Sequence, residues 1–255
     1  MLLTIDIGNT SMAFGIYKGK KLAAHFKIET VKDRGGNEYA VFLKSLLGSK
    51  GIALSDIKDG IISCVVPPLL EAMKEACMEC FGIKPLVVGE DIDADIPILC
   101  DDPKEVGADR IVNAVAGYEK YRQALIIIDF GTATTFDCVS SKGEYLGGAI
   151  SPGIAISAEA LFQKTSKLPR VDIVKPSTAI GKNTVASMQS GLLFGYVSLV
   201  EGMVRRIKGE MKEPATVIAT GGLADMISHE TTIIEHVEPF LTLEGLRLIY
   251  EKGEG

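Results

Sequence analysis

The chain has 255 residues, 47% of them hydrophobic and 24% charged, an ordinary balance for a globular protein of one large or two small domains. A formal net charge of −6 argues against a nucleic-acid partner that binds through a broad basic surface. The early acidic residue Asp6 argues against a signal peptide, and no apolar run approaches the ~20 residues that span a bilayer. We therefore expect a cytoplasmic protein with neither nucleic acid nor a membrane as its partner.

Five cysteines, an odd number without the spacing of a disulfide framework, are typical of a reducing compartment. Cys77 and Cys80 form a Cys-x-x-Cys pair, but the pattern over Leu69–Phe81 predicts a helix around them, and no second pair completes a zinc site. We expect both to be structural thiols.

The first half of the chain opens with a predicted β-hairpin whose turn is Asp6-Ile7-Gly8-Asn9-Thr10. Its second strand is Met12–Tyr17, followed by a charged turn at Lys18–Lys21. The elements predicted next are a helix at Asn37–Leu47, a strand at Gly60–Val66, a helix from Pro67 to Phe81, a strand at Pro85–Gly89 and a helix beginning at Pro103.

The second half opens in the same way, with an apolar run, the turn Asp129-Phe130-Gly131-Thr132-Ala133 and a second strand at Thr134–Ser140. A Gly-rich loop at Gly147–Gly153, a helix at Ile154–Phe162, a loop at Pro169–Gly181, a long helix at Asn183–Ile207, a strand at Thr216–Ala219, a Gly221-Gly222 turn and two further helices follow. This alternation predicts an α/β fold with domains at residues 1–117 and 118–255.

The two Asp-x-Gly turns lie about half the chain apart and share their local pattern, which indicates an internal duplication. A turn containing glycine lets successive backbone N–H groups point at one phosphate. Asn9, Thr10 and Ser11 add side-chain donors, and Asp6 is suited to hold Mg²⁺ through water. A single copy is explained about equally well as a plain turn, whereas two copies favour a phosphate clamp. The glycine motifs of P-loop, dinucleotide-binding and protein-kinase proteins are missing from the sequence.

The segment Pro103–Asn113 contains Gly107-Ala108-Asp109-Arg110 at the start of a predicted helix. Asp109 and Asn113 are i, i+4 neighbours, which we predict to point away from the apolar face. An aspartate beside phosphate-binding turns is suited to accept the proton of an attacking hydroxyl, and Arg110 is suited to pair with a substrate carboxylate. The alternative is a solvated Asp-Arg pair at a helix start.

These turns, with Gly221-Gly222, resemble the phosphate and adenosine motifs of the superfamily of actin, heat-shock chaperone ATPases and acetate and sugar kinases. The resemblance implies two duplicated actin-like (ribonuclease H-like) ATPase domains flanking a nucleotide cleft. The segments Asp6–Ser11, Ile61–Pro68, Pro103–Asn113, Ile128–Asp137, Gly147–Gly153 and Ile180–Gly195 together resemble the type III pantothenate kinase family. That family resemblance implies ATP-dependent phosphorylation of pantothenate to 4′-phosphopantothenate, the first step of coenzyme A biosynthesis.

The resemblance also implies a role for particular residues. Asp109 would be the general base, and Asp129 would hold a monovalent cation, K⁺ or NH₄⁺. The ATP-binding residues would be Asp6, Ile7, Gly8, Asn9, Thr10, Ser11, Met12, Ala13 and Thr132, with Asp6 also holding Mg²⁺ through water. The pantothenate-binding residues would be Gly107, Ala108, Asp109, Arg110, Thr184 and Cys100. The family usually has a tyrosine at the position of Cys100 and Asp-Asn-Pro where this chain reads Asp101-Asp102-Pro103, so an aromatic wall of the pocket is lost.

The family resemblance further implies a homodimer. Ser187, Gly191 and Gly195 form a stripe of small residues on the long helix, which suits a subunit contact or internal helix packing. Two other functions remain open from the sequence. One is another small-metabolite kinase of the same superfamily, and the other is a non-catalytic regulator acting as a transcription accessory factor.

Overall fold

A computed structural model describes residues 1–253, which fall into two compact units. The first unit comprises Met1–Ile96, Asp101–Ala116 and the segment from Phe240, and the second comprises Pro97–Cys100 and Gly117–Pro239. These units are not coextensive with residues 1–117 and 118–255, because the segment from Phe240 packs with the first unit and residues 97–100 pack with the second. The domain limits inferred from the sequence stay a prediction.

The strands in residues 1–253 are β1 (Leu2–Ile7), β2 (Ser11–Lys18), β3 (Lys21–Glu29), β4 (Asp59–Cys64), β5 (Leu86–Val87), β6 (Leu125–Phe130), β7 (Ala133–Val139), β8 (Tyr145–Pro152), β9 (Thr216–Gly221) and β10 (His236–Val237). The α-helices are α1 (Gly36–Ser49), α2 (Pro67–Phe81), α3 (Ala108–Tyr121), α4 (Ile154–Lys164), α5 (Thr184–Met211), α6 (Ala224–Ser228) and α7 (Leu241–Gly253).

The sheet of the first unit has the order β3-β2-β1-β4-β5. The chain runs antiparallel through β1, β2 and β3, and β4 and β5 are then added parallel to β1. Because side chains alternate along a strand, Ile5 and Ile7 pack with the core against α1 and α2. On the opposite face, Ile61 of β4 packs with residues of α3 and α7. Asp6 therefore leaves the end of β1 on the α3 side of the sheet.

The sheet of the second unit repeats this arrangement in the order β10-β9-β6-β7-β8. Its first three strands are antiparallel, and β9 and β10 are added parallel to β6. Its core is formed by β6, β7, β9 and α5. The two sheets share one connectivity, which confirms both the α/β fold and the internal repeat predicted from the paired turns.

The predicted Gly-rich loop at Gly147–Gly153 is wrong, because residues 145–152 form the edge strand β8. Glycines tolerate this edge position since the strand needs no large side chain there, and Gly147, at φ 108°, lies beside a register shift at Cys138 and Val139. Strands β3 and β10 were not predicted. The first is an edge strand rich in charged residues, and the second has only two residues.

The ends of the long helices follow local signals in the sequence. Pro67 and Pro68 occupy the first turn of α2, and Gly82 ends it in a left-handed conformation. Cys77 and Cys80 are buried within α2, as predicted, and burial raises the pKa of Cys77 to about 12. Within residues 1–253, no helix has both the length and the apolar character needed to cross a membrane.

Candidate active site

The first Asp-x-Gly turn joins β1 to β2 and is closed by its own backbone. The Gly8 N–H donates to the Ser11 carbonyl oxygen over 3.1 Å. Thr30 braces the turn from the end of β3, since its hydroxyl donates to the Gly8 carbonyl over 2.7 Å and its N–H donates to the Thr10 carbonyl over 3.0 Å. Asn9 and Thr10 are exposed at the tip. The turn is thus fixed at its base and polar at its tip, as a phosphate-binding turn requires.

The predicted ATP loop, Asp6–Ala13, contains both core and surface side chains. Ile7 and Met12 are fully buried in the core, so they are able to meet a nucleotide only through their backbone. Asn9 and Thr10 are the exposed side chains of the loop, and its other members are half-buried. The assignment of ATP binding to this loop stays a prediction.

Asp6 ends β1 as a half-buried carboxylate beside two residues of β4. It is directly opposite Ser63 in the parallel register, and Ile7 is opposite Cys64. Burial raises the pKa of the Cys64 thiol, and the negative charge of Asp6 raises it further. Mg²⁺ is commonly bound by one or two carboxylates with water and substrate phosphate oxygens, and the position of Asp6 suits that mode.

Asp109 lies half-buried in the first turn of α3, where its Oδ1 accepts the N–H of Arg110 over 2.8 Å. A methyl group at Gly107 would lie only 2.6 Å from the same oxygen, so glycine makes room for the carboxylate. Burial raises the pKa of Asp109 above its ordinary value, against the opposing effects of the Arg110 N–H and guanidinium. The result is a carboxylate more basic than an exposed aspartate.

The start of α3 lies next to the end of β1, and Val65 connects the two. The Val65 N–H donates to the Ile7 carbonyl oxygen over 3.1 Å. Its side chain lies against Gly107, where an added methyl group would be 3.6 Å from Cγ1. Within the first unit, the structure therefore brings together the first turn and the predicted pantothenate-binding segment Gly107–Arg110.

The prediction that Asn113 points away from the apolar face is wrong. Asn113 is 1% exposed, and its side-chain oxygen accepts the hydroxyl of Thr242 in α7 over 2.7 Å. The prediction grouped Asn113 with Asp109 by helical spacing alone, because the sequence does not show that α7 covers this side of α3. Asn113 therefore joins two helices, whereas Asp109 remains at the first turn.

The second Asp-x-Gly turn joins β6 to β7 and is shorter than the first by one residue. The residue pair that flanks the second turn is Phe130 with Thr134, whereas the pair that flanks the first turn is Ile7 with Met12. It is also braced differently, because the Gly153 N–H before α4 donates to the Thr132 carbonyl over 3.1 Å. Thr132 itself is exposed. The two turns are related but not equivalent.

Asp129, the predicted cation ligand, is half-buried at the end of β6 between two threonines. Thr135 of β7 and Thr220 of β9 are its register partners. A methyl group at Gly221 would lie 2.6 Å from the Asp129 Oδ1, and Gly221 has a φ of 92° that favours glycine. The Gly221-Gly222 turn, which was singled out for its resemblance to an adenosine motif, thus also leaves space for this carboxylate.

Thr184 and Cys100, the remaining predicted substrate contacts, belong to the second unit. Thr184 is exposed as the first residue of α5, directly after the N-cap Asn183, whose side chain accepts the Ala186 N–H over 2.8 Å. Cys100 is half-buried, with its Sγ 3.7 Å from where a methyl group on Gly147 would lie. Their contacts with pantothenate stay a prediction.

Three residues that shape the site were not singled out from the sequence. Thr30 and Gly153 brace the two turns, and Ser63 lies beside Asp6. Gly153 had a signal, as the last glycine of a Gly-rich segment. Thr30 and Ser63 had none, because their importance depends on hydrogen bonding and register between strands distant in sequence.

Two sheets of one connectivity, each with an Asp-x-Gly turn at the same strand end, define the fold class of the actin-like ATPases and sugar kinases. The sequence pattern of the family described as type III pantothenate kinase matches residues 2–206. A type III pantothenate kinase from Geobacter sulfurreducens is 56% identical over 253 residues, which cover 99% of each chain. The chain belongs to the type III pantothenate kinase family.

Solved structures agree with this fold. A Baf family transcriptional activator from Campylobacter jejuni is similar, with a TM-score of 0.60 and 16% identity over 99% of this chain and 98% of that one. A 2-dehydro-3-deoxygalactonokinase protein from Sinorhizobium meliloti is similar with a TM-score of 0.59 and 10% identity over 99% and 96%. At such identities the likeness concerns the fold alone.

Proposed function

We propose that this protein transfers the terminal phosphoryl group of ATP to the primary hydroxyl of pantothenate, forming 4′-phosphopantothenate, the first step of coenzyme A biosynthesis. Family membership supports the substrate. The observation that carries the chemistry is Asp109, a half-buried carboxylate of raised pKa at the start of α3, next to the end of β1.

In the proposed reaction, the hydroxyl oxygen of pantothenate attacks the γ-phosphorus of ATP, the bond to ADP breaks, and the hydroxyl proton passes to Asp109. Because the transition state of phosphoryl transfer is loose, the protein acts mainly by positioning the reactants and stabilising charge. A carboxylate whose pKa lies above the ordinary aspartate value accepts the proton more readily. A well-placed general base contributes about 10²–10⁴ in rate.

The other residues divide between nucleotide and substrate. Asp6–Ala13 and Thr132 would contact ATP, with Asp6 holding Mg²⁺ through water. Gly107–Arg110, with Thr184 and Cys100, would contact pantothenate, and the planar Arg110 guanidinium would pair with its carboxylate. When bound, Mg²⁺ neutralises phosphate charge, and the monovalent cation proposed at Asp129, K⁺ or NH₄⁺, would do so as well.

We also propose a homodimer formed through the second unit. A methyl group built at Gly191 or Gly195 has no atom of residues 1–253 within 4 Å, so internal packing does not explain these two glycines of α5. The unit also exposes large apolar side chains before α5, including Ile150 at 66% and Ile180 at 81%. Two such surfaces are able to cover one another in a dimer. Sedimentation that gives a monomer at working concentration would contradict this proposal.

We further infer that the protein works in the cytoplasm, where its five free thiols are kept reduced. Recovery of the protein, at its natural expression level, in an extracellular fraction would contradict this assignment.

The deciding experiment is an ATP-consumption assay with pantothenate, with and without K⁺. It compares the wild type with Asp109→Asn and with Asp101→Asn, a control at an exposed aspartate earlier in the chain. We expect Asp109→Asn to fold, to bind ATP normally and to lose about 10²–10⁴ of turnover, while the control keeps its rate.

Near-wild-type turnover of Asp109→Asn would show that Asp109 is not the general base. An absence of pantothenate-dependent ATP consumption by the wild type, with any cation, would refute the proposed substrate.

A further inference from the structure

Ser63 is a fully buried residue at the end of β4 whose hydroxyl is not accounted for by the fold. Its exposed fraction is 0%, and its Oγ has no hydrogen-bond partner among residues 1–253. A buried hydroxyl without a partner costs about 1–3 kcal/mol on the scale of protein mutational data. Such a group therefore indicates a missing partner, such as a water molecule or a ligand.

The register of the sheet fixes where this hydroxyl points. Ser63 is directly opposite Asp6 in the parallel pairing of β1 and β4, so the two side chains lie on the same face. Neighbouring strands are about 4.8 Å apart, a separation that a hydroxyl and a carboxylate are able to span through one water. The Ser63 hydroxyl is thus next to the Asp6 carboxylate, which is proposed to hold Mg²⁺.

The packing of α3 places Ser63 below the proposed catalytic aspartate. Two residues earlier on the same face, Ile61 packs in one cluster with Val112 of α3. Two residues later, Val65 lies against Gly107, just before α3 begins. Ser63 lies between these two contacts and hence faces the first turn of α3, which carries Asp109.

The second sheet contains the same pairing. Asp129 is directly opposite Thr220 in the parallel register of β6 and β9, as Asp6 is opposite Ser63. Thr220 is 3% exposed. In each repeat, the aspartate of the Asp-x-Gly turn therefore has a buried hydroxyl residue as its neighbour on the adjoining strand.

We propose that Ser63 is a positioning residue for the magnesium–nucleotide complex and that it acts through Asp6. Its hydroxyl donates through one water to one Asp6 carboxylate oxygen, and leaves the other oxygen for the water that Mg²⁺ holds. Hydrogen bonds of this kind orient metal-binding carboxylates, and their loss typically weakens metal affinity 10–100-fold. The inference rests on the part of the proposed function in which Asp6 holds Mg²⁺.

The test is ADP binding by titration calorimetry, with Mg²⁺ and with EDTA, in the absence of pantothenate. We expect Ser63→Ala to weaken ADP binding about 10-fold with Mg²⁺ and to leave binding in EDTA unchanged. Because the hydroxyl makes no internal hydrogen bond, the melting temperature is expected not to fall. We expect Ser63→Thr, which keeps the hydroxyl that Thr220 supplies in the other sheet, to restore the Mg²⁺ effect.

The matched control is Thr4→Val, two residues before Asp6 on the same face of β1. The buried hydroxyl of Thr4 donates to the Gly15 carbonyl over 3.3 Å, so its loss lowers the melting temperature without changing the Mg²⁺ dependence. Wild-type Mg²⁺–ADP affinity in Ser63→Ala, or a fall in its melting temperature with unchanged affinity, would overturn the inference. Because the binding experiment contains no pantothenate, it tests the role of Ser63 even if pantothenate proves not to be the substrate.

Discussion

Gly153 ties the second Asp-x-Gly turn to the start of α4, and the substitution Gly153→Ala tests whether that turn binds ATP. A methyl group at this position would lie 2.3 Å from the Thr132 carbonyl oxygen and 2.6 Å from that of Gly131. Real contacts of this kind are essentially never shorter than 3.0 Å. Backbone atoms of the turn must therefore move by about 0.7 Å, since no flexible side chain is available to yield.

The size of the effect follows from this displacement. Overpacking of this kind costs about 1–3 kcal/mol, and each kcal/mol lowers the melting temperature by about 2–4 °C in a protein of this size. A displacement near 1 Å in a positioning group costs up to about 10² in rate. We expect a lower melting temperature and a rise of at least about tenfold in the KM for ATP, with little change in the KM for pantothenate.

The assay is ADP release at varied ATP, with melting followed by calorimetry. Gly209→Ala on the exposed side of α5 is the matched control, because a methyl group there has no atom of residues 1–253 within 4 Å. That substitution is expected to raise helix stability by about 0.5–1 kcal/mol and to leave activity unchanged. An unchanged KM for ATP in Gly153→Ala, accompanied by the expected loss of stability, would refute the role of the second turn.

The remaining predictions concern Asp109, Gly191 and Cys77, and they rest on burial and packing. The kcat/KM for pantothenate is expected to fall as the pH drops through the raised pKa of Asp109, because the base must be ionised; a flat acid profile would contradict this. The folded protein binds this proton more tightly than the unfolded chain does. The resulting stability is lost as the pH rises through the raised pKa, so Asp109→Asn should melt no lower than the wild type at neutral pH. Gly191→Leu is expected to give a monomer in sedimentation, whereas Gly209→Leu stays a dimer. Cys77→Ser, which buries a hydroxyl in an apolar core, should lose about 1–3 kcal/mol of stability at unchanged KM; equal melting temperatures would contradict this.

The sequence predicted those parts of the fold that depend on local pattern. The two hairpins and the helices around Pro67 and Asn183 lie where turn residues, prolines and apolar spacing indicated. The Asp-x-Gly repeat predicted two related halves, and the strand order confirms them. These features are local because each is determined by a few adjacent residues.

The wrong predictions concern residues whose burial or secondary structure is determined by contacts between distant segments of the chain. Asn113 is buried because α7, more than a hundred residues later, covers it through Thr242. Gly147 lies in a strand because β7 pairs with it, although glycines alone favour a loop. The neighbours of Asp6 and Asp129 depend on strand register, which composition does not reveal. The predicted site residues were thus identifiable by type, but their supporting contacts were not.

The passage of the chain from the first unit into the second and back has a consequence for synthesis on the ribosome. Leu246 and Ile249 of α7 fill the core beside Ile61, so the first unit lacks part of its interior until the final segment has emerged. Domains usually fold in order as they leave the ribosome. Here the second unit has all its residues available first, although the first unit begins the chain. A stop codon ahead of α7 would consequently leave the apolar face around Ile61 open, and such a product is expected to aggregate.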